Sequence, residues 1–200
     1  PYGQNQSADS MSLGSAYVIK RVNNISTPDD IIVASYVGRP HTQDAYNKNL
    51  FMLADYYNCK IGFENDRGEV IAYAKRHRKM HRLQEEFEML DKRELRSKTV
   101  KRQYGMHMTE ARKRQGEIYI RDWLNSVRSK NEEGEQVLNL HKIYDLALLQ
   151  ELIKFNHKGN FDRVMSLMIG MYHTRELYNA EVKEILEDNS ANNWFDKNYY

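Results

Sequence analysis

The chain has 200 residues, 29% of them charged, and a formal net charge of +2. That length suits one domain, or one domain with an appendage, and is enough to bury a sizeable core. The single cysteine, Cys59, excludes an intramolecular disulfide framework and any multi-cysteine zinc site, and no apolar run reaches the length of a membrane span.

Residues 1–12 are polar and turn-forming and read as a loop. LGSAYVIKRV (13–22) and DIIVASYVG (30–38) are rich in β-branched and aromatic residues, and the turn cluster NNISTP joins them. They read as two antiparallel strands. Thr42 is the expected N-cap of a helix whose Tyr46, Leu50, Leu53, Ala54 and Tyr57 recur at helical spacing. CKIGFEN (59–65) reads as a short strand, expected to run parallel to an earlier one because a helix precedes it. The order strand, strand, helix, strand points to an α/β fold with a mixed sheet covered by helices.

The chain then reads as largely helical. One helix is expected over 67–90, a second over 109–127, and NEEGEQVL is a turn. A third, over 143–156, has Asp145 as its N-cap, and a last long helix starts near Asp162 and runs to about Leu186. Residues 187–200 hold too few aliphatic side chains to build a core and read as a loose tail. No export signal is recognisable, so a reducing cytoplasm is the expected compartment. Cys59 reads as a small buried apolar side chain.

Charge is unevenly spread. From Lys75 to Arg114 there are fourteen Lys/Arg and six Asp/Glu, a balance of +8; from Glu181 to Tyr200 there are two against five, a balance of −3. The basic middle suits a polyanion, with Arg76, Lys79 and Arg82 as expected phosphate contacts, and the acidic end suits a different partner. A solvated helix face is the plainer reading of such runs. His77 and His81 stand four apart, but the cations Arg78 and Lys79 between them would repel zinc. No glycine-rich phosphate loop followed by Lys-Ser/Thr is present.

Two carboxylates carry the chemical interest. Glu64 falls at the C-terminal end of a strand, where α/β proteins gather ligands; it reads either as an exposed strand-end glutamate or as a metal ligand. Asp162 opens an otherwise apolar helix, as a charge favoured by the helix dipole or as a second metal ligand. A nuclease that uses divalent metals needs both residues, because Mg²⁺ and Mn²⁺ take carboxylate oxygens and leave positions for phosphate and water.

IIVASYVGRPHTQDAYNKNLFMLADYYNCKIGFENDRGEVIAY resembles the central region of the large terminase subunit of tailed bacteriophages. The shared features are the strand end YVGRP, a helix ending LADYYN and the strand IGFEND. IYDLALLQELIKFN followed by GNFDRVMSLMIGM resembles the end of the same domain, where an acidic pair and an Arg-Val-like step open a helix. The likeness runs through most of residues 12–177. It implies that subunit's nuclease domain: a ribonuclease H-like mixed sheet flanked by helices over residues 1–186, with a flexible tail at 187–200. The implied activity is metal-dependent cutting of concatemeric double-stranded DNA during packaging. Glu64 matches the family's strand-four acid and Asp162 the acid at the start of the last helix. The implied cofactors are Mg²⁺ or Mn²⁺, two ions. The implied partners are double-stranded DNA, the portal ring of the procapsid and the small terminase subunit, in the cytoplasm of the infected bacterial host, with no membrane.

The chain departs from that pattern in two places. The family's paired acid reads Asn160-Phe161-Asp162, which leaves one carboxylate. The family's first metal-ligating aspartate, and the first strand with it, is expected immediately before Pro1, and Asp9 falls in the loop that follows. Without that aspartate these residues hold an incomplete site and need not cut DNA. The alternatives are a non-catalytic DNA-binding or portal-docking module, or a helical scaffold that binds a protein ring through its acidic tail.

Overall fold

The computed structural model describes residues 12–20, 31–65, 68–85, 104–156, 159–175 and 179. Strands β1 (Gly14–Lys20) and β2 (Ile31–Gly38) pair antiparallel, as their composition predicts, from Gly14 opposite Gly38 to Lys20 opposite Ile31. The register shifts between Val18 and Ile19, which leaves Val33 as the extra residue of a bulge.

Helix α1 (Gln43–Tyr56) starts where expected, because the Thr42 hydroxyl accepts the Ala45 N–H at 3.1 Å. Residues 59–64 follow as an extended segment and not a full strand. Ile61 and Glu64 make isolated parallel bridges to Leu83 and Met106. The parallel sense holds, but the partners come later in the chain and not earlier. Among the described residues the two sheets are two-stranded and antiparallel, these bridges stand apart from both, and the architecture is mixed α/β.

The helix expected over 67–90 is much shorter. Helix α2 (Glu69–Arg76) ends at His77, and Arg78 adopts φ +55°. After a 3₁₀ turn at Met80–Arg82 the chain is extended. Packing decides against helix propensity here: Leu83 is 2% exposed, and flanking it Arg82 accepts the Ile61 N–H at 2.7 Å while the Gln84 N–H bonds the Ile61 carbonyl at 2.9 Å.

Helix α3 (Glu110–Asn125) is shorter than the expected 109–127 and buries Ile120 and Trp123, whereas Ile118 on it and Val127 beyond it are exposed. Of the segment expected as a turn, residues 131–135 make the turn of a hairpin of β3 (Val127–Lys130) and β4 (Gln136–Leu138), and its last three residues are β4 itself. Asn131 makes that turn: its Oδ1 accepts the Glu133 and Glu135 amides, and Gly134 supplies φ +83°. Helix α4 (Leu146–Lys154) is capped by Asp145 as expected. Helix α5 covers residues 162–175; its expected extension toward Leu186 and the tail at 187–200 lie outside the described residues, as do residues 1–11 with Asp9.

Two cores result. The larger gathers Leu148 of α4, Ile120 and Trp123 of α3 and the Val164, Leu167, Met168 and Met171 stripe of α5. The smaller packs Phe51 and Ala54 of α1 against Val70, Tyr73 and Ala74 of α2, with Ile61, Phe63 and Leu83. Close helix contact in the larger core depends on Gly116, where a Cβ would stand 2.1 Å from Met168. No helix among the described residues is long and apolar enough to cross a membrane.

Leu167 is fully buried and Ile153 is 85% exposed. Leu167→Ala should therefore lower unfolding free energy by about 2–5 kcal/mol. Ile153→Ala should change it by no more than about 0.5 kcal/mol. Urea titrations of the two variants measure the contrast.

Candidate functional site

A cleft of about 500 Å³ lies where the two cores meet, between β1, residues 59–64, α1 and α5. Glu64 and Asp162 both line it, together with Lys113 of α3 and His173 of α5. The two expected acids are thus brought to one cavity, and both are half-buried.

Asp162 does not cap its own helix. Its carboxylate accepts the Leu13 N–H at 2.7 Å and the Ser12 hydroxyl at 3.3 Å, and so fixes the start of β1. The amides that open α5 go elsewhere: Glu151 Oε2 accepts the Arg163 N–H at 3.0 Å and the Val164 N–H at 3.4 Å. A carboxylate from α4 thereby caps α5 and complements its dipole. Asp162 therefore does not cap α5 by hydrogen bonding, while as the first residue of the helix it still carries a charge that the helix dipole favours.

The cap extends into a network. Arg163 donates an Nη1 hydrogen bond to Glu151 at 3.2 Å, and its Nε lies 3.6 Å from Asp145. Asp145 caps α4 through the Leu148 N–H at 3.1 Å and accepts the Tyr17 hydroxyl at 2.9 Å. Burial first, and the Asp145 contact second, push the Tyr17 hydroxyl well above the usual tyrosine pKa. Tyr17, Asp145, Glu151 and Arg163 thus tie β1, α4 and α5 together. Sequence reading found Asp145 as a cap and missed Glu151, which matches no capping motif because it lies on a different helix from the amides it serves.

His173 packs against backbone: a Cβ on Gly62 would lie 1.6 Å from its Nε2. Burial pushes the imidazole pKa down to about 4. His77 and His81 do not form a helical pair, because α2 ends at Arg76, ahead of both, and the His77 ring stacks on Tyr73 with centroids 4.2 Å apart. Cys59 is half-buried beside the cleft, and burial raises its thiol pKa, which keeps it a poor nucleophile.

The basic residues expected on phosphate are already partnered. Arg76 pairs with Asp44 at 2.6 Å, while Lys79 and Arg82 converge on Asp55, Arg82 at 2.9 Å. Lys79 and then Arg82 hold the Asp55 carboxyl below its usual pKa. Arg82 also donates to Asn58 at 2.8 Å. These side chains therefore clamp α1 to α2 and to the segment after it, and their net positive field is reduced by the paired carboxylates. Residues 86–103, which carry much of the basic run, lie outside the described residues.

Among the described residues no group of three or more His, Cys, Asp or Glu side chains is placed to hold a metal together. Glu64 and Asp162 are a pair of acids on one cavity, and Mg²⁺ is commonly bound through one or two carboxylates, with water and phosphate completing its shell. Both side chains are oxygen donors of the kind such an ion takes.

No protein-family model matches the chain, and no curated protein and no solved structure matches it.

Two measurements check the site's construction. Glu151→Ala strips the α5 amides of their acceptor and Arg163 of a partner, and should cost about 2–3 kcal/mol, read by urea unfolding. His173 sets a pH dependence. Its folded-state pKa lies below the ordinary 6.5, so below about pH 6.5 the unfolded chain takes a proton that the native chain refuses. Stability should be full above that pH and fall as pH drops toward 4, by about 3 kcal/mol. His173→Leu should flatten that part of the stability–pH curve.

Proposed function

We propose that the chain is a divalent-metal-dependent endonuclease domain of ribonuclease H-like fold, acting on concatemeric double-stranded DNA as part of a viral packaging terminase. The observation that carries this reading is the meeting of the segment-end Glu64 and the helix-start Asp162 on one cleft. Their resemblance to the terminase acids supplies the reaction class.

Glu64 and Asp162 would hold Mg²⁺ or Mn²⁺. The ion's chemistry there is to polarise a phosphodiester and to lower the pKa of a bound water. Asp162 keeps acceptor capacity for this role, since a carboxylate offers about four lone-pair sites and the Leu13 N–H and Ser12 hydroxyl use two. Glu151 keeps the α5 amides from competing for that carboxylate. Lys113, paired with Glu110 at 3.1 Å, lies on the same cleft and would have to give up or share that partner to hold a phosphate oxygen. The family's first aspartate, expected ahead of Pro1, would complete a two-ion site. Docking of the 187–200 tail on a portal ring, association with a small terminase subunit and a host-cytoplasm location belong to the same reading.

A DNA-binding module without chemistry is the second reading, and the basic run favours it. The Arg76, Lys79 and Arg82 pairs weaken it, because phosphate contact there must displace Asp44 and Asp55.

The test combines melting curves with plasmid cleavage in Mn²⁺ or Mg²⁺. Metal should raise the melting temperature, as any ligand of the native state does. Glu64→Gln and Asp162→Asn should each remove that rise. Metal-dependent nicking, measured with the expected preceding strand restored, should fall by roughly a hundredfold or more in either variant, equivalent to about 2.7 kcal/mol in the barrier. A metal response unchanged in both variants would remove the nuclease reading.

A further inference from the structure

Helix α4 is apolar on two sides. One side buries Leu148 in the larger core, while on the other Leu146 is 72% and Ile153 85% exposed. These two stand seven residues apart, which puts them on one face of the helix, and half-buried Leu149 lies between them. Tyr144, two residues ahead of the helix, is also 85% exposed. Single exposed apolar side chains are ordinary, but a stripe of them rimmed by polar residues marks an interaction surface.

The free charges around the stripe have one sign. Asp145 and Glu151, the acids of this helix and its cap, are taken by Arg163. Lys142 ahead of the helix and Lys154 in its last turn are exposed, and neither makes an ion pair among the described residues. The surface is therefore apolar in its middle and positive at both ends. It complements an apolar segment flanked by acids.

Residues 187–200, EDNSANNWFDKNYY, have that pattern: Trp194 and Phe195 are adjacent, with Glu187 and Asp188 before them and Asp196 after. The reach is sufficient. Helix α5 starts beside α4, where Arg163 meets Glu151, and its residues 162–175 run about 20 Å. The eighteen residues between Arg175 and Trp194 can span about 60 Å.

We propose that segment 187–200 docks in cis on the exposed face of α4, with Trp194 and Phe195 against Leu146 and Ile153 and its acids toward Lys142 and Lys154. A second copy suits the stripe less well, because a stable interface takes about 20–30 residues a side. A segment of the same chain needs far less contact, since its tether holds it at an effective concentration in about the millimolar range. Nucleic acid would meet the two lysines and leave the aliphatic stripe uncovered. The docked segment acts as a latch: a protein partner that uses the same aromatic residues must first lift it from α4. The inference concerns α4 and this segment alone and stands with or without a metal site.

The chain has two tryptophans, Trp123 in the larger core and Trp194, so 5-fluorotryptophan labelling of the full chain gives two fluorine NMR signals. Trp194→Phe identifies the second. The measurement is broadening of each signal by a soluble nitroxide. Trp194 should be broadened about threefold less in the full chain than in a synthetic peptide of residues 187–200, as a tethered contact formed most of the time requires. Leu146→Asp with Ile153→Asp should raise it to the peptide's value while the Trp123 signal stays in place, which shows that the body is folded. Lys142→Glu with Lys154→Glu should raise it partway, and adding Asp188→Lys with Asp196→Lys should restore the protection. If the aspartate variant unfolds, this charge exchange decides alone. Three results would overturn the proposal: Trp194 in the unmodified chain as accessible as in the peptide, protection that persists when the α4 face is altered, or protection that fades on dilution. The last would make a second copy the occupant.

Discussion

Arg163 and Val164 open the helix that crosses the larger core, and their amides need an acceptor in a half-buried place. Glu151 is that acceptor. Its position explains much around it. With the cap supplied from α4, Asp162 can turn its carboxylate outward to Leu13 and Ser12, which sets where β1 begins. Arg163, held by Glu151 and Asp145, brings α4 against α5, and Tyr17 anchors the sheet to the same cluster. The charges are partly buried and mutually compensated, so loss of one leaves the others uncompensated, at more cost than the pair itself contributes.

This arrangement also accounts for the cleft. The larger core is organised around α5, and the smaller around α1 and α2. Each holds its own piece of sheet: β1 with β2 on one side, residues 59–64 with Leu83 and Met106 on the other. The two pieces are spanned by helices without bonding to each other's edges. The candidate acids lie at this junction, as groups do when they are delivered by separate elements and not by one loop.

Sequence periodicity carried well wherever a helix was amphipathic and capped locally. Thr42, Asp145 and the Val164, Leu167, Met168 and Met171 stripe behave as their spacing implies. It failed where distant contacts overrode local preference. Residues 77–85 have helix-forming composition, but Leu83 is drawn into the smaller core beside Ile61. The β3–β4 hairpin hid in a charged stretch with little strand character, because its turn is made by the Asn131 side chain and not by an Asn-Gly pair. The candidate acids were legible as residues at element ends. Their partners were not, since Leu13, Ser12 and Glu151 are neighbours of the site only in three dimensions.

The contact of His173 with Gly62 links two positions that are far apart in the chain. Position 62 has room for hydrogen alone while an imidazole occupies position 173. A side chain becomes admissible at 62 only after the residue at 173 shrinks or swings away. Related chains should therefore vary the two together, a bulky 173 accompanying glycine at 62 and a small 173 permitting alanine or serine there. The pair amounts to a single shared volume divided between two helical and extended elements, and sequence change at either site is constrained by the other's size.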